Sequence, residues 1–324
     1  MKTRWERWVR FVGEREPGLV LGLFRILVGL IALGGMIENV AYGVVDMIWV
    51  DKRFGGAFSV DGNWLVSLLG GASRPVVWGL VVACMLGSAA ITVGFGGRVA
   101  IFLTVQAYYA LTRINGNAGG GYDALITNAM WLLFLGGASA TLSLDSKIKH
   151  GRWWKDDVTV PAIARRLAIF QILLVYATTG LHKLSPVWTP AGGYSALYWV
   201  YQEPTWRRFD MAWTAKYYPL MQVATAVTWH WETSAFLMFL FYWYRWTPNR
   251  GGFLRRQANR FDLRRPFLAI GVMLHLGILA TIAVGPFSYI SLAYYVTFLT
   301  PDEARTLLDR VRTRLMSRSR PRAA

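Results

Sequence analysis

An apolar run at 18–37, broken by a single charge at Arg25, constrains this chain more than any other feature. A helix of about 20 residues crosses the ~30 Å hydrocarbon core of a bilayer. Comparable runs follow at 76–94, 99–112, 122–142, 167–184 and 220–244, and a last one at 266–299 is too long for one helix and is divided at Gly285-Pro286. Only helices and closed barrels satisfy their backbone groups inside lipid. The pattern therefore predicts an all-α, polytopic transmembrane helical bundle of about eight spans. Composition agrees, with 54% hydrophobic and 15% aromatic residues, more than a soluble domain carries.

The net charge of +17 would suggest nucleic acid in a soluble chain, yet the basic residues lie between apolar runs rather than along one face. Topology accounts for them, and no nucleic-acid partner is expected. An eight-span arrangement puts both termini in the cytoplasm. It gathers most of the 35 Lys and Arg residues into 1–17, 147–166, 245–265 and 300–324, leaving Lys52, Arg53, Arg74, Arg113, Arg207, Arg208 and Lys216 outside. Three regions follow: a cytoplasmic amphipathic N-terminus at 1–17, a membrane domain at 18–299 and a basic cytoplasmic tail at 300–324. The first apolar run lacks a small-x-small cleavage site and is read as a retained helix. The lone Cys84 excludes a disulfide framework and a cysteine metal cluster. The glycines at 116–121 lack the Gly-Lys-Ser/Thr ending of a phosphate loop and read as a turn. Arg25 is expected to form a structural ion pair within the bundle, in preference to a functional role for an intramembrane charge.

Chemistry concentrates at 176–188, where an apolar segment runs into His182 and Lys183. Lys183 has two readings: it snorkels to water with Trp188 as interfacial anchor, or it is a partly desolvated amine able to act as a base. Thr178 and Thr179 each lie one turn before a basic residue and offer it a hydroxyl. His230 and Glu232, two residues apart, do not share a helix face and serve different neighbours, or His230 caps the external end of its helix. His275 lies deep in the seventh span, where a hydrogen bond to another helix is expected. His182, His230, Glu232 and His275 show no His-x-x-x-His or Glu-x-x-His spacing, so a metal is not expected. The aromatic stretch 188–213 reads as interfacial or re-entrant, against membrane lipids.

The order Gly180-Leu181-His182-Lys183-Leu184, Trp188, Gly193-Tyr194-Ser195, and later His275 with Gly285-Pro286-Phe287-Ser288-Tyr289, resembles the horizontally transferred transmembrane (HTTM) family, which includes vitamin K-dependent gamma-glutamyl carboxylase. Weaker matches are Gly22-Leu23-Phe24-Arg25-Ile26 and Asp61-Gly62, so the likeness runs over about 18–299. It implies quinol-dependent proton abstraction of the carboxylase kind in a multi-pass protein of a bacterial inner membrane. Lys183 would be the base, with His182 and His275 beside it as catalytic groups. A reduced isoprenoid quinone, a vitamin K-like hydroquinone, would lie among Trp188, Tyr194, His230, Glu232 and Asn128. Two departures accompany the resemblance. The carboxylase has Asn-His-Tyr-Trp where this chain has Asn128-Ala129-Met130-Trp131, without the histidine. A basic tail follows 299 in place of a large lumenal domain, so propeptide-directed carboxylation is not expected. The alternative is non-enzymatic: a membrane scaffold, immunity or export and maturation partner of a secreted peptide or protein, met through Trp199 and Trp206.

Overall fold

The computed structural model describes residues 3–155 and 157–318; Lys2, Arg320 and Arg322 of the predicted basic termini lie outside them. In chain order the helices are α1 (Arg4–Gly13), α2 (Leu19–Ala41), α3 (Val45–Trp49), α4 (Trp64–Leu68), α5 (Arg74–Val93), α6 (Gly97–Thr112), α7 (Gly121–Gly136) and α8 (Leu144–His150). Then come α9 (Ala162–His182), α10 (Ala196–Gln202), α11 (Tyr218–Trp246), α12 (Phe253–Arg260), α13 (Arg264–Thr281), α14 (Phe287–Val296) and α15 (Pro301–Arg318). Two three-residue strands, β1 (Arg15–Pro17) and β2 (Thr159–Pro161), pair antiparallel. The fold is otherwise helical, as the apolar runs predict.

Among the described residues three helices, α2, α5 and α9, are long and apolar enough to cross a membrane, and α12 with α13, bent by 55° at their junction, makes four if the pair is one span. The eight spans read from the sequence are not all of this kind. Helices α6 and α7 have 16 residues each, about 24 Å at 1.5 Å per residue, and α14 has 10. Helix α11 is long, at 29 residues, but interleaves Gln222, His230 and Glu232 with its apolar positions. The chain is a multi-pass membrane protein whose helices differ widely in length.

The chain divides into two compact units, residues up to 168 with those from 296 onward, and residues 169–295. In the first, Thr3 and Glu6 form a reciprocal cap that starts α1. Glu16 pairs with Arg165 at 2.6 Å, and Arg165 also donates to the carbonyls of Thr297 and Leu299, fixing the approach to α15. Arg25, fully buried on α2, departs from the expected ion pair. Its guanidinium donates to the backbone carbonyls of Ala138 (3.2 Å), Thr92 (2.8 Å), Ile91 and Leu142. Ile91 and Thr92 belong to the last turn of α5, whose carbonyls have no partner within the helix and carry its negative dipole end. Gly94 closes that helix in the left-handed conformation (φ 71°), and a Cβ there would come within 2.7 Å of the Arg25 Cζ. Asp123, another charge within a predicted span, accepts from the Gly120 amide and the Tyr108 hydroxyl at the start of α7. Between α3 and α4, the buried Asp51 carboxylate accepts from the Arg53 side chain and amide and from the Val60 amide. Its bond to Arg53 holds its pKa down at about 2.

The second unit carries α10 to α14 with most of α9. Pro219 opens α11, where the absent N–H is not needed. The loop at 203–211 is tied back by the Arg208 amide to Thr281 and by the Ala283 amide to the Trp206 carbonyl, at 3.0 and 2.7 Å. Every group described in the next subsection except Asn128 belongs to this unit.

Candidate functional site

Helix α9 ends at His182, and the chain then bends toward the short 3-10 turn Pro186–Trp188. Lys183, just beyond the helix end, sends its ammonium to the Glu232 carboxylate of α11 in a close ion pair. Their side chains are 16% and 9% exposed, so Lys183 is enclosed rather than extended into water. Trp188 covers the pair, its ring centroid 4.1 Å from the Lys183 Nζ. Such a contact contributes about 0.5–2 kcal/mol, the upper end when desolvated. Gly180 makes the pairing possible: a Cβ there would lie 2.8 Å from the Glu232 Cβ and 2.7 Å from the Thr233 amide nitrogen. Any larger residue pushes α9 and α11 apart at the level of the pair.

The pair forms the polar end of a cavity of about 350 Å³, within the size range of small-molecule sites. Leu197, Val200, Val227, Ile270, Met273, Leu274 and Ile278 supply apolar wall. The hydroxyls that also line it are already engaged. Thr225 and Thr228 donate to the carbonyls of Met221 and Ala224, and the Tyr201 hydroxyl bonds that of Thr281 at 3.1 Å. The cavity is therefore apolar along its length with one charged end.

The other predicted site residues fall in different places. His182 is exposed, and its Nδ1 bonds the Thr178 backbone carbonyl at 2.8 Å, while the Thr178 hydroxyl is directed to Leu174. The hydroxyl partners expected one turn back are thus not the ones used; helix carbonyls and Glu232 outcompete them. His230 stands well inside α11 rather than capping its end, and its Nε2 bonds the Tyr194 hydroxyl at 3.1 Å. Tyr194 itself sits at φ 54°, after Gly193, whose carbonyl accepts from Gln222 at 2.6 Å. His230 and Glu232 do serve different neighbours. His275 is buried on α13, away from the cavity wall, with Nε2 2.7 Å from the Tyr176 hydroxyl, which in turn lies 2.9 Å from that of Tyr295. Asn128 is exposed on α7 in the other unit and is not among the residues lining the cavity. Among the described residues no group of three or more His, Cys, Asp or Glu side chains is placed to hold a metal ion.

The sequence reading overlooked Tyr176 and Tyr295. Their only signal was position, since Tyr176 opens the motif-bearing stretch and Tyr295 shares a helical face with Ser288 and Ser291.

The HTTM domain, compared as a family with this chain, matches residues 15–240. No curated protein and no solved structure gives a match.

Proposed function

The chain belongs to the HTTM domain family, and we propose from this premise that it binds a reduced isoprenoid quinone in the cavity beside Lys183 and uses the Lys183–Glu232 pair to take a proton. The observation that carries this reading is a buried, Trp-covered ion pair at one end of an otherwise apolar cavity. A quinol supplies a hydroxyl that can lose a proton and two electrons for a later oxidation. Lys183 and Glu232 would hold that hydroxyl, and the walls from α10, α11 and α13 would take the apolar part of the ring and tail. Starting as ammonium and carboxylate, the pair accepts one proton: Lys183 hands its proton to Glu232 as the amine takes that of the quinol, leaving ammonium beside carboxylic acid; passing the proton on restores it. The proton passes through both side chains, so the pair and not Lys183 alone is the base. Trp188 keeps water from the ammonium and raises the strength of every charged contact there. This is the proton-abstraction half of carboxylase-like chemistry, in a protein with eight spans, both termini cytoplasmic, in a bacterial inner membrane.

Anaerobic titration of the purified protein with a short-chain naphthohydroquinone tests it. Losing a charge-assisted hydrogen bond costs about 1.5–3 kcal/mol, so Lys183→Ala and Glu232→Gln should each weaken binding by roughly 10-fold or more. Lys183→Arg should keep most of the affinity and lose proton uptake, because a guanidinium stays protonated. Equal affinity in all four proteins, or none in any, contradicts the proposal.

One observation favours the scaffold reading. Trp199, Trp206 and Trp213 stand 58%, 49% and 52% exposed in one segment of the second unit, residue types that anchor peptide contacts. On that reading Ala at Trp199 and Trp206 abolishes partnership with a secreted peptide while Lys183→Arg is tolerated. The opposite pattern supports the quinol site.

A further inference from the structure

Among the described residues of the second unit, His275 Nδ1 and Ser288 Oγ are buried without a hydrogen-bond partner, and the buried Ser291 hydroxyl meets that of Tyr176. Leaving such atoms unsatisfied is costly, so they call for a compensating group. They converge. Ser288, Ser291 and Tyr295 follow at i, i+3 and i+7 on one face of α14. The Tyr295 ring lies 5.8 Å from that of His275, and the Ser291 hydroxyl faces that of Tyr176. The serines also decline the usual helical solution. Thr104, Thr225, Thr228 and Thr281 all donate to the carbonyl one turn back at 2.6–2.8 Å, whereas Ser288 and Ser291 do not. Their hydroxyls are directed off the helix.

We infer that His275, Ser288 and Ser291 hold internal water beside Tyr176 and Tyr295, and that this hydrated chamber is the proton store behind Glu232. Water matches the donor set. Hydroxyls and an imidazole nitrogen donate or accept as needed, and a buried water typically makes about three such bonds. These side chains include no carboxylate to hold a cation and no Lys or Arg to hold an anion. Tyr176 links the chamber to the ion pair. Its hydroxyl bonds His275 Nε2, and its ring centroid lies 4.5 Å from that of Trp231, the neighbour of Glu232. With Nδ1 carrying the imidazole proton, a proton reaching the Tyr176 oxygen from the Glu232 side displaces the hydroxyl proton onto Nε2, and Nδ1 releases its own to water. Tyrosine and histidine both end neutral, the histidine in its other tautomer. This relay rests on the proton-abstraction reading above; the hydration does not.

Radiolytic hydroxyl-radical footprinting of the full chain in lipid nanodiscs tests the chamber, because bound water generates radicals where it sits. Tyr176 and Tyr295 should be modified at least roughly fivefold faster than Phe24 and Phe298, which are buried as they are. A Ser288→Ala, Ser291→Ala variant should bring them down to that slower rate. Modification at the rate of Phe24 in the wild type overturns the inference, and needs no variant to fold. Lys183→Ala should leave the labelling unchanged. Labelling intact in a protein that binds no quinol contradicts the quinol reading and supports the chamber on its own.

Discussion

Lys183 is held by a carboxylate on one side and an indole face on the other, and both partners are needed because neither charge is well hydrated. Breaking a buried ion pair from one side costs about 3–5 kcal/mol, since it strands the remaining charge. Lys183→Met or Glu232→Gln alone should therefore destabilise the protein by about 3 kcal/mol or more in denaturant unfolding, and Lys183→Met with Glu232→Met should regain most of the loss. Additive losses in the double variant would show that the two side chains do not depend on each other. Both residues were legible in the sequence as charges in apolar surroundings. Their pairing was not, because it spans 49 positions and is set by how closely α9 approaches α11 at Gly180. Arg25 shows the same gap from another side. An ion pair was expected because a sequence displays side-chain carboxylates, whereas the groups that hold Arg25 are backbone carbonyls at a helix end and in a following turn, which every residue carries.

At the scale of elements, the short segment 51–60 depends on one carboxylate. Asp51 accepts from two backbone amides and the Arg53 side chain, and its folded pKa of about 2 lies below its ordinary value of 3.8. A depressed carboxylate stabilises the fold above its unfolded pKa, and the contribution is lost as pH falls through the folded one. Hydrogen-exchange protection of the Arg53 and Val60 amides, corrected for intrinsic rate, should thus hold at pH 5 and fall between about 4 and 2; in Asp51→Asn it should be low throughout. Protection that ignores pH in the wild type would contradict this role. Helix positions were largely readable from apolar runs and Pro or Gly punctuation: Pro219 opens α11, Gly94 ends α5, and Gly285-Pro286 separates α13 from α14. Span status was less readable, because hydropathy marks residues that avoid water without saying whether lipid or protein receives them. The 16-residue α6 and α7 read as spans in the sequence, but their helices measure about 24 Å and so leave their span status undecided by length.

For the molecule as a whole, membership of the HTTM family makes this a membrane-embedded protein, and the proton chemistry proposed for it rests on the geometry around Lys183. Lys183 was legible in the sequence as a charge ending an apolar run. The proposed chamber was not, since its members are two tyrosines, a histidine and two serines drawn from three helices with no spacing rule among them. The central claim is that the cavity beside Lys183 holds a quinone, and mass spectrometry of the quinones that co-purify with the wild type and with Lys183→Ala tests it most directly. An isoprenoid quinone enriched over bulk phospholipid in the wild type and depleted in Lys183→Ala is the predicted result. The same bulk phospholipid and no quinone in both would contradict it.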